Sequence, residues 1–515
     1  MAAKWLKDAV FYEIYPQSFY DSNSDGIGDL NGITQKLDYI GGLGCNALWI
    51  NPCFDSPFKD AGYDVRDYKK IAPRYGTSED LYRLFAAAHE KGMHVVLDLV
   101  AGHTSEEHEW FLQSQKAEEN PFTDRYIWTD FCFEGAEGFT YIGGESERSA
   151  AYILNFFKCQ PALNYGFYTV TKPWQLPYNH PHALETREAL KDIMRFWLGK
   201  GCDGFRVDMA ASLVKNDDEK KTGTSAVWLD VRRMLDLEYP DAAMISEWCN
   251  PPLALRAGFD MDFYLNVRGN GYSTLLRDYL NNKNDDRTYF RKDSGGNINR
   301  FLDEYLQWYA DTKDSGYISL LTCNHDTPRP SYHLDEAELK LAYAFLFTLP
   351  GVPFLYYGDE IGMRYLPLPT KEGGYFRTGS RTPMQWDSGL NRGFSDGRRE
   401  DLYLPVDEAD DAPTVAGQEN DPASLLNTVR ALLSLRHSHE DLQADAPFAV
   451  ICSEPGKPFV YRRGNLILAV NPNSSSAELK IGMDQPRILY SIGDAGYRNG
   501  ILIVGGQSFA VLSQS

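Results

Sequence analysis

Four acidic residues stand where short apolar runs end: Asp98 in HVVLDLV, Asp208 in GFRVD, Glu247 in AMISEW and Asp326 in TCNHD. An acid at a strand end commonly caps a loop or pairs with a base, so any one of them alone carries little. Four together, accompanied by Arg206, His103 and His325, suit a pocket that does nucleophilic and acid–base chemistry. A carboxylate can attack, a carboxylic acid can donate a proton, and an arginine can bias which group holds the charge. Arg206 precedes Asp208 by two residues, so on an extended strand both face the same way.

Groups this far apart in sequence meet only if the fold gathers strand ends. Seven runs read as strands: AVFYEIYP (9–16), CNALWINP (45–52), HVVLDLV (94–100), DGFRVDM (203–209), AMISEW (243–248), YISLLTC (317–323) and VPFLYYG (352–358). An eighth is expected near 262–267. Helical periodicity lies between them, as in 78–91, which opens on the capping box Thr77-Ser-Glu-Asp80 and stops at Gly92. A later helix carries Leu190, Ile193, Met194, Trp197 and Leu198 on one face. Eight alternating units predict an α/β fold, a (β/α)8 TIM barrel whose active face is at the C-terminal ends of its strands. The stretch between the third and fourth strands is too long for one helix and rich in aromatics, Gly and Pro, which predicts an inserted subdomain over that face. Beyond the last barrel helix (about 424–437) the hydrophobic period switches to two, predicting a C-terminal antiparallel β-sandwich. The expected units are a barrel (1–104 and 183–440), subdomain B (105–182) and a C-terminal β domain (441–515).

Five hundred and fifteen residues at about 150 per domain fit that division. With 51 Lys and Arg against 72 Asp and Glu, the net charge of −21 offers no basic footprint and argues against nucleic acid or an anionic membrane as partner. The eight cysteines are scattered without a C-x-x-C pair and read as reduced thiols. The N-terminus lacks an apolar signal core, and the longest uncharged stretch, 341–358, carries Pro350 and Pro353. A cytoplasmic protein, monomeric or weakly self-associating, is the expectation.

The strand-end motifs also carry a resemblance. DLVAGH (98–103), GFRVD (204–208), ISEW (245–248) and NHD (324–326) resemble the first four sequence motifs of the α-amylase family of retaining glycoside hydrolases, and QPALN (160–164) is similar to its fifth. They occur in the family's order, over about residues 5–440. The resemblance implies Asp208 as nucleophile, Glu247 as acid/base, and Asp326 as a third carboxylate that fixes sugar hydroxyls. The reaction demands these residue types in its own right. Cleavage with retention needs an ionised carboxylate and a protonated carboxyl about 5–5.5 Å apart on either side of the scissile bond. Asp208 must then be ionised, with Arg206 expected to hold its pKa down. Glu247 must be protonated at rest, which an apolar wall and nearby Asp208 and Asp326 favour. His103 and His325 are expected to donate hydrogen bonds to the sugar.

DAGYDVRDY (60–68) and RTPMQWD (381–387) resemble the exo-acting oligo-1,6-glucosidase and α-glucosidase branch. That resemblance implies that Tyr63 stacks on the terminal glucose of a short α-glucoside while Asp60 and Arg381 grip its far hydroxyls and close the pocket. Arg377 is near enough in sequence to take Arg381's part, and Arg329, in NHDTPR, also matches the branch. Two positions depart from the pattern. Gly102 replaces the Asn that helps many amylases bind calcium, so that calcium site is not carried over, and Met209, after the nucleophile, matches neither the α-1,6 nor the α-1,4 preference. A different metal loop is expected near the N-terminus. Asp21, Asn23 and Asp25 alternate before Gly26 as in the opening of a calcium loop, although Gly32 stands where an EF-hand has its bidentate Glu. The exo-acting relatives imply one structural Ca2+ or Mg2+ on Asp21, Asn23, Asp25, the Ile27 carbonyl and Asp29, and no organic cofactor.

Three functions compete. The first is an exo-acting α-glucosidase. The second is a transglucosylase or isomerase using the same intermediate, to which DLYLPV (401–406), similar to trehalose synthases, points. The third is a catalytically silent amylase-like binding or chaperone subunit, against which the presence of all three carboxylates counts.

Overall fold

The computed structural model describes residues 2–133, 135–136, 138–265, 269–373, 377–483 and 486–513. Eight parallel strands close into a barrel in sequence order. They are β1 (Phe11–Ile14), β2 (Ala47–Ile50), β3 (His94–Val100), β4 (Gly204–Asp208), β5 (Ala243–Ser246), β6 (Met261–Phe263), β7 (Tyr317–Leu321) and β8 (Val352–Tyr356). Every strand expected from the sequence is present. The sixth is short, and positions 266 and 267 of its expected span lie outside the described residues.

These strands are mainly apolar because both faces are covered, one by helices and one by the barrel interior. Phe11, Trp49, Phe263 and Phe354 fill that interior, with Phe11 stacked on Phe354 at 4.4 Å and Trp49 on Phe263 at 5.4 Å. Above the aromatic layer the lining turns polar. Trp49 Nε1 donates to Asp98 Oδ2 at 3.1 Å. Asp98 on β3 is directly opposite Arg206 on β4, and Val100 opposite Asp208, so the strand register itself faces the first acid with the arginine.

Helices cap as their sequences ask. Ser78–Glu90 begins with the reciprocal Thr77 and Asp80 capping box, and Pro181–Leu198 starts with Pro at its first position and buries Leu190, Ile193, Met194 and Trp197. Between β3 and that helix, a two-stranded ribbon of Tyr141–Gly143 and Ala151–Ile153 packs over a small core including Ile127, Ile153, Ala162 and Phe167. The Leu163 amide bonds to the Gly102 carbonyl, which holds the QPALN segment against the end of β3. After the helix Leu425–Ser438, a five-stranded and a three-stranded antiparallel sheet share a core of Val460, Ile467, Leu502, Val504 and Leu512. This is the expected sandwich. No helix among the described residues is long and apolar enough to cross a membrane. Of the eight free cysteines, Cys132, Cys249 and Cys452 are partly exposed and the others buried.

Candidate active site

At the C-terminal mouth of the barrel lies a cavity of about 160 Å³, lined by Asp60, Tyr63, His103, Phe156, Asp208, Met209, Glu247, Asp326 and Arg377. Its floor is organised by Arg206. The guanidinium Nη1 lies 2.9 Å from Asp98 Oδ1 and 3.3 Å from Asp208 Oδ1, and Nη2 lies 2.9 Å from Glu247 Oε2. The ring of Trp49 sits beneath it, 4.9 Å from the guanidinium carbon. One buried cation thus gathers three strand-end carboxylates.

The local backbone brings Glu247 to Asp208. Met209, immediately after Asp208, has φ 44° and ψ 41°, a left-handed conformation that an unbranched, non-glycine residue adopts at a cost of order 1–3 kcal/mol. The turn aims the Met209 amide at Glu247 Oε2, 2.9 Å away, and the Ala210 amide at the Glu247 carbonyl. Asp208 and Glu247 therefore share one guanidinium, Asp208 through Nη1 and Glu247 through Nη2.

Arg206 does pull the Asp208 carboxyl down, as expected, but it is outweighed. Burial first, and Glu247 next, push it well above the usual carboxylate range, because Arg206 divides its charge among three acids and makes its longest contact to Asp208. Asp326 behaves oppositely. Burial would raise it, but the charges of Arg377, Arg381 and Arg206 outweigh burial and hold it well below that range. Its Oδ1 accepts from Arg377 Nη1 at 3.0 Å and Arg381 Nη2 at 2.7 Å.

On the far wall, Arg377 also pairs with Asp60, whose other oxygen accepts from Gln160 Nε2 at 2.7 Å. The arginine beside Asp60 is therefore Arg377. Arg381 sits one layer deeper, its Nε donating to the His325 carbonyl at 2.8 Å. Arg329 departs further from expectation: fully buried, it bonds Asp359 Oδ1 and the Tyr357 carbonyl, both at 2.8 Å, and the Ser380 carbonyl at 3.1 Å. It clamps loops behind the cavity wall and does not line the cavity.

The histidines are tied into the wall. His103 Nε2 lies 3.0 Å from the Tyr63 carbonyl and Nδ1 3.0 Å from Asn155 Nδ2. Burial pushes its pKa down to about 4, so its single N–H is committed to Tyr63 rather than free for a ligand. His325, whose ring stacks on Tyr63 at 5.4 Å, contacts Tyr63 Oη through Nε2 at 2.7 Å and Glu13 through Nδ1 at 2.7 Å. Gly102 has a local reason: a side chain there would meet the Asn155 amide at 2.8 Å, the same amide that orients His103. Sequence reading missed Glu13, Asn51, Asn155 and Phe156. Only Glu13, an acid inside an apolar strand, left a visible signal.

In the N-terminal loop, Asp21 accepts from the amides of Asn23, Ser24 and Gly26 and from Ser395 Oγ, and Asp29 caps the helix at Leu30. Asp25 accepts one bond on each oxygen, from Ile27 N and Asn23 Nδ2. Each carboxylate oxygen has two lone pairs, so Asp25 and Asp29 Oδ2 retain acceptor capacity, and the all-oxygen donor set suits a hard cation. No cluster of three or more His, Cys, Asp or Glu arranged for a metal occurs among the described residues.

A closed parallel barrel with a carboxyl pair on a buried arginine at its C-terminal mouth defines a glycoside hydrolase of the (β/α)8 type. Residues 13–445 match the family described as alpha amylase, catalytic domain, and the chain belongs to the α-amylase family. It is 31% identical to the oligo-1,6-glucosidase of Heyndrickxia coagulans, over 94% of each chain. It is also 32% identical to the trehalose synthase/amylase TreS of Mycolicibacterium smegmatis, over 85% of this chain and 77% of that one. Among solved structures, an isomaltulose synthase mutant from Erwinia rhapontici in complex with sucrose superposes with a TM-score of 0.81 at 26% identity, covering 99% of both chains.

Proposed function

We propose that the protein is a retaining, exo-acting α-glucosidase that removes the non-reducing terminal glucose of short α-glucosides. The observation that carries this reading is the single cavity in which Asp208 and Glu247 meet on Arg206 at one wall while Asp60, Arg377 and Asp326 close the other. Asp208 attacks the anomeric carbon, the bond to the leaving oxygen breaks, and Glu247 gives that oxygen its proton. Glu247, now a base, takes a proton from water as the water attacks the glucosyl ester and frees Asp208. An inverting enzyme separates its carboxyls by about 6.5–9.5 Å to admit a water; two carboxyls that share one guanidinium favour the closer, retaining arrangement. Asp326, kept ionised by its arginines, accepts hydrogen bonds from sugar hydroxyls, and the Asp60–Arg377 pair binds adjacent hydroxyls at the blind end.

A second reading, glucosyl transfer or isomerisation, uses the same ester with a sugar as acceptor. The likeness to TreS favours it, as does Phe156, an aromatic side chain lining the cavity and 40% exposed. Incubation with maltose, isomaltose, trehalose and sucrose decides: free glucose as the main product supports hydrolysis, and a new disaccharide supports transfer.

The N-terminal loop is proposed to hold one structural Ca2+ or Mg2+ through Asp21, Asn23, Asp25, Ile27 and Asp29. The ion would neutralise carboxylates that have no Lys or Arg partner among the described ion pairs and would take no part in the reaction. The division into a barrel (1–104 and 183–440), an inserted unit (105–182) and a terminal unit (441–515) is likewise a proposal about folding units.

A further inference from the structure

Behind His325 lies a carboxyl group that the reaction above does not use. Glu13, on β1, is wholly buried. Its Oε1 lies 2.7 Å from His325 Nδ1 and 3.2 Å from Asn51 Nδ2, and its Oε2 has no partner. The arrangement allows the protons to be counted. Tyr63 donates its hydroxyl proton to Asp98 Oδ2 at 3.0 Å, and Asp98, the ion-pair partner of Arg206, can only accept. With that proton committed, the 2.7 Å contact between Tyr63 Oη and His325 Nε2 is a hydrogen bond only if Nε2 carries hydrogen. A neutral imidazole has one N–H, so Nδ1 is then a lone pair. The Asn51 amide, 3.2 Å from Nδ1, is a donor facing that lone pair.

We infer that Glu13 is a neutral carboxylic acid and a positioning residue, which donates its Oε1 hydrogen to His325 Nδ1 and so fixes the tautomer whose Nε2 hydrogen faces Tyr63 and Asp326. The competing arrangement is an ion pair of Glu13 carboxylate with His325 imidazolium. Asp326, 3.6 Å from Nε2, would favour that positive ring, but burial and the nearby Arg381, Arg206 and Arg377 oppose it, and the charged Oε2 would be left without a donor, which is costly away from water. Burial also pushes the Glu13 carboxyl up and His325 down, the sense a neutral pair requires. The kinetic consequence rests on the proposed glucosidase reading; the proton assignment does not.

Two variants and one spectroscopic measurement test it. Glu13→Gln retains an N–H donor for Nδ1, since the Asn51 amide can turn its unpartnered Oδ1 to the new group, whereas Glu13→Met keeps the size and removes the donor. In 15N-histidine NMR of the free wild-type protein at pH 7, with His325 assigned by its loss in His325→Asn, the expected signature is a neutral ring protonated at Nε2, unchanged in Glu13→Gln. On an aryl α-glucoside, Glu13→Gln is expected within about threefold of wild-type kcat, and Glu13→Met to lose about tenfold or more in kcat with KM little changed. An imidazolium signature in the wild type, or a Glu13→Gln variant as impaired as Glu13→Met, overturns the inference. Should the wild type cleave no α-glucoside, the glucosidase reading fails while the NMR signature still decides where the proton lies, and it does so even if Glu13→Met does not fold.

Discussion

Asp208 and Glu247 rest on the two amino groups of one guanidinium, at 3.3 and 2.9 Å. Arg206 anchors both, with the Met209 amide as a second anchor for Glu247, and removing the arginine leaves the buried Asp98 and Asp208 and the partly exposed Glu247 around a missing cation. Arg206→Met is expected to destabilise the fold by about 3–5 kcal/mol. Arg206→Lys, whose single ammonium cannot span both acids, should lower kcat/KM by about 10²-fold or more. Thermal unfolding and steady-state kinetics of the two variants check this.

The raised pKa of Asp208 has a defined sign in stability. Between the unfolded value of about 3.9 and the higher folded value, the native state holds a proton that the unfolded chain has lost, so stability falls as pH rises through that window. Asp208→Asn removes the penalty. The variant should melt above wild type at pH 7, converge with it below pH ~4, and lack turnover at both. A variant that melts lower at pH 7 would show that Arg206 governs the carboxyl after all.

The same shift moves activity. Attack requires Asp208 ionised, so the acid limb of the kcat/KM profile should lie above the ordinary aspartate value of about 3.9. Substituting Asp98, which adds negative charge beside Asp208 but also anchors Arg206, should displace that limb. A pH series on an aryl α-glucoside measures both.

Arg377 and Arg329 separate ligand contact from loop support. Arg377→Ala leaves Asp60 and Asp326 short of a charged donor each. It should lower kcat/KM by about 1.5–3 kcal/mol, roughly 10- to 150-fold, and open the blind end to longer glucans. Arg329→Ala, which breaks only buried loop contacts, should lower the melting temperature with little change in KM. Kinetics on maltose against longer maltooligosaccharides, with melting curves, distinguish the two.

Metal loading of the 21–29 loop is tested by its removal. Chelation should lower the melting temperature, Ca2+ or Mg2+ should restore it, and Asp25→Ala should abolish the response. Activity of the folded protein at low temperature should be unaffected, since the loop contributes no residue to the cavity lining.

Much of this site could be read from the chain because it lies on strands. A strand's alternation fixes which way Arg206 and Asp208 point, and a closed barrel fixes where strand ends meet, so the four acids could be placed without coordinates. The readings that went astray depend on loops or on shared charge. Arg329, Arg377 and Arg381 are all arginines after a strand end, and only the fold of their loops decides which reaches the cavity. The pKa of Asp208 depends on how one cation is divided among Asp98, Asp208 and Glu247, which spacing along one strand cannot reveal. Glu13 escaped because an acid in an apolar strand shows that a partner exists without showing that the partner is a histidine some three hundred residues on.

The pairing of Asp208 and Glu247 about one bond is tested most directly by trapping the ester. Incubation with a fluorinated α-glucosyl fluoride, proteolysis and mass spectrometry should find the sugar on the peptide containing Asp208, and NMR of the normal reaction should show α-glucose released first. Label on another residue, or β-glucose as the first product, would contradict the account.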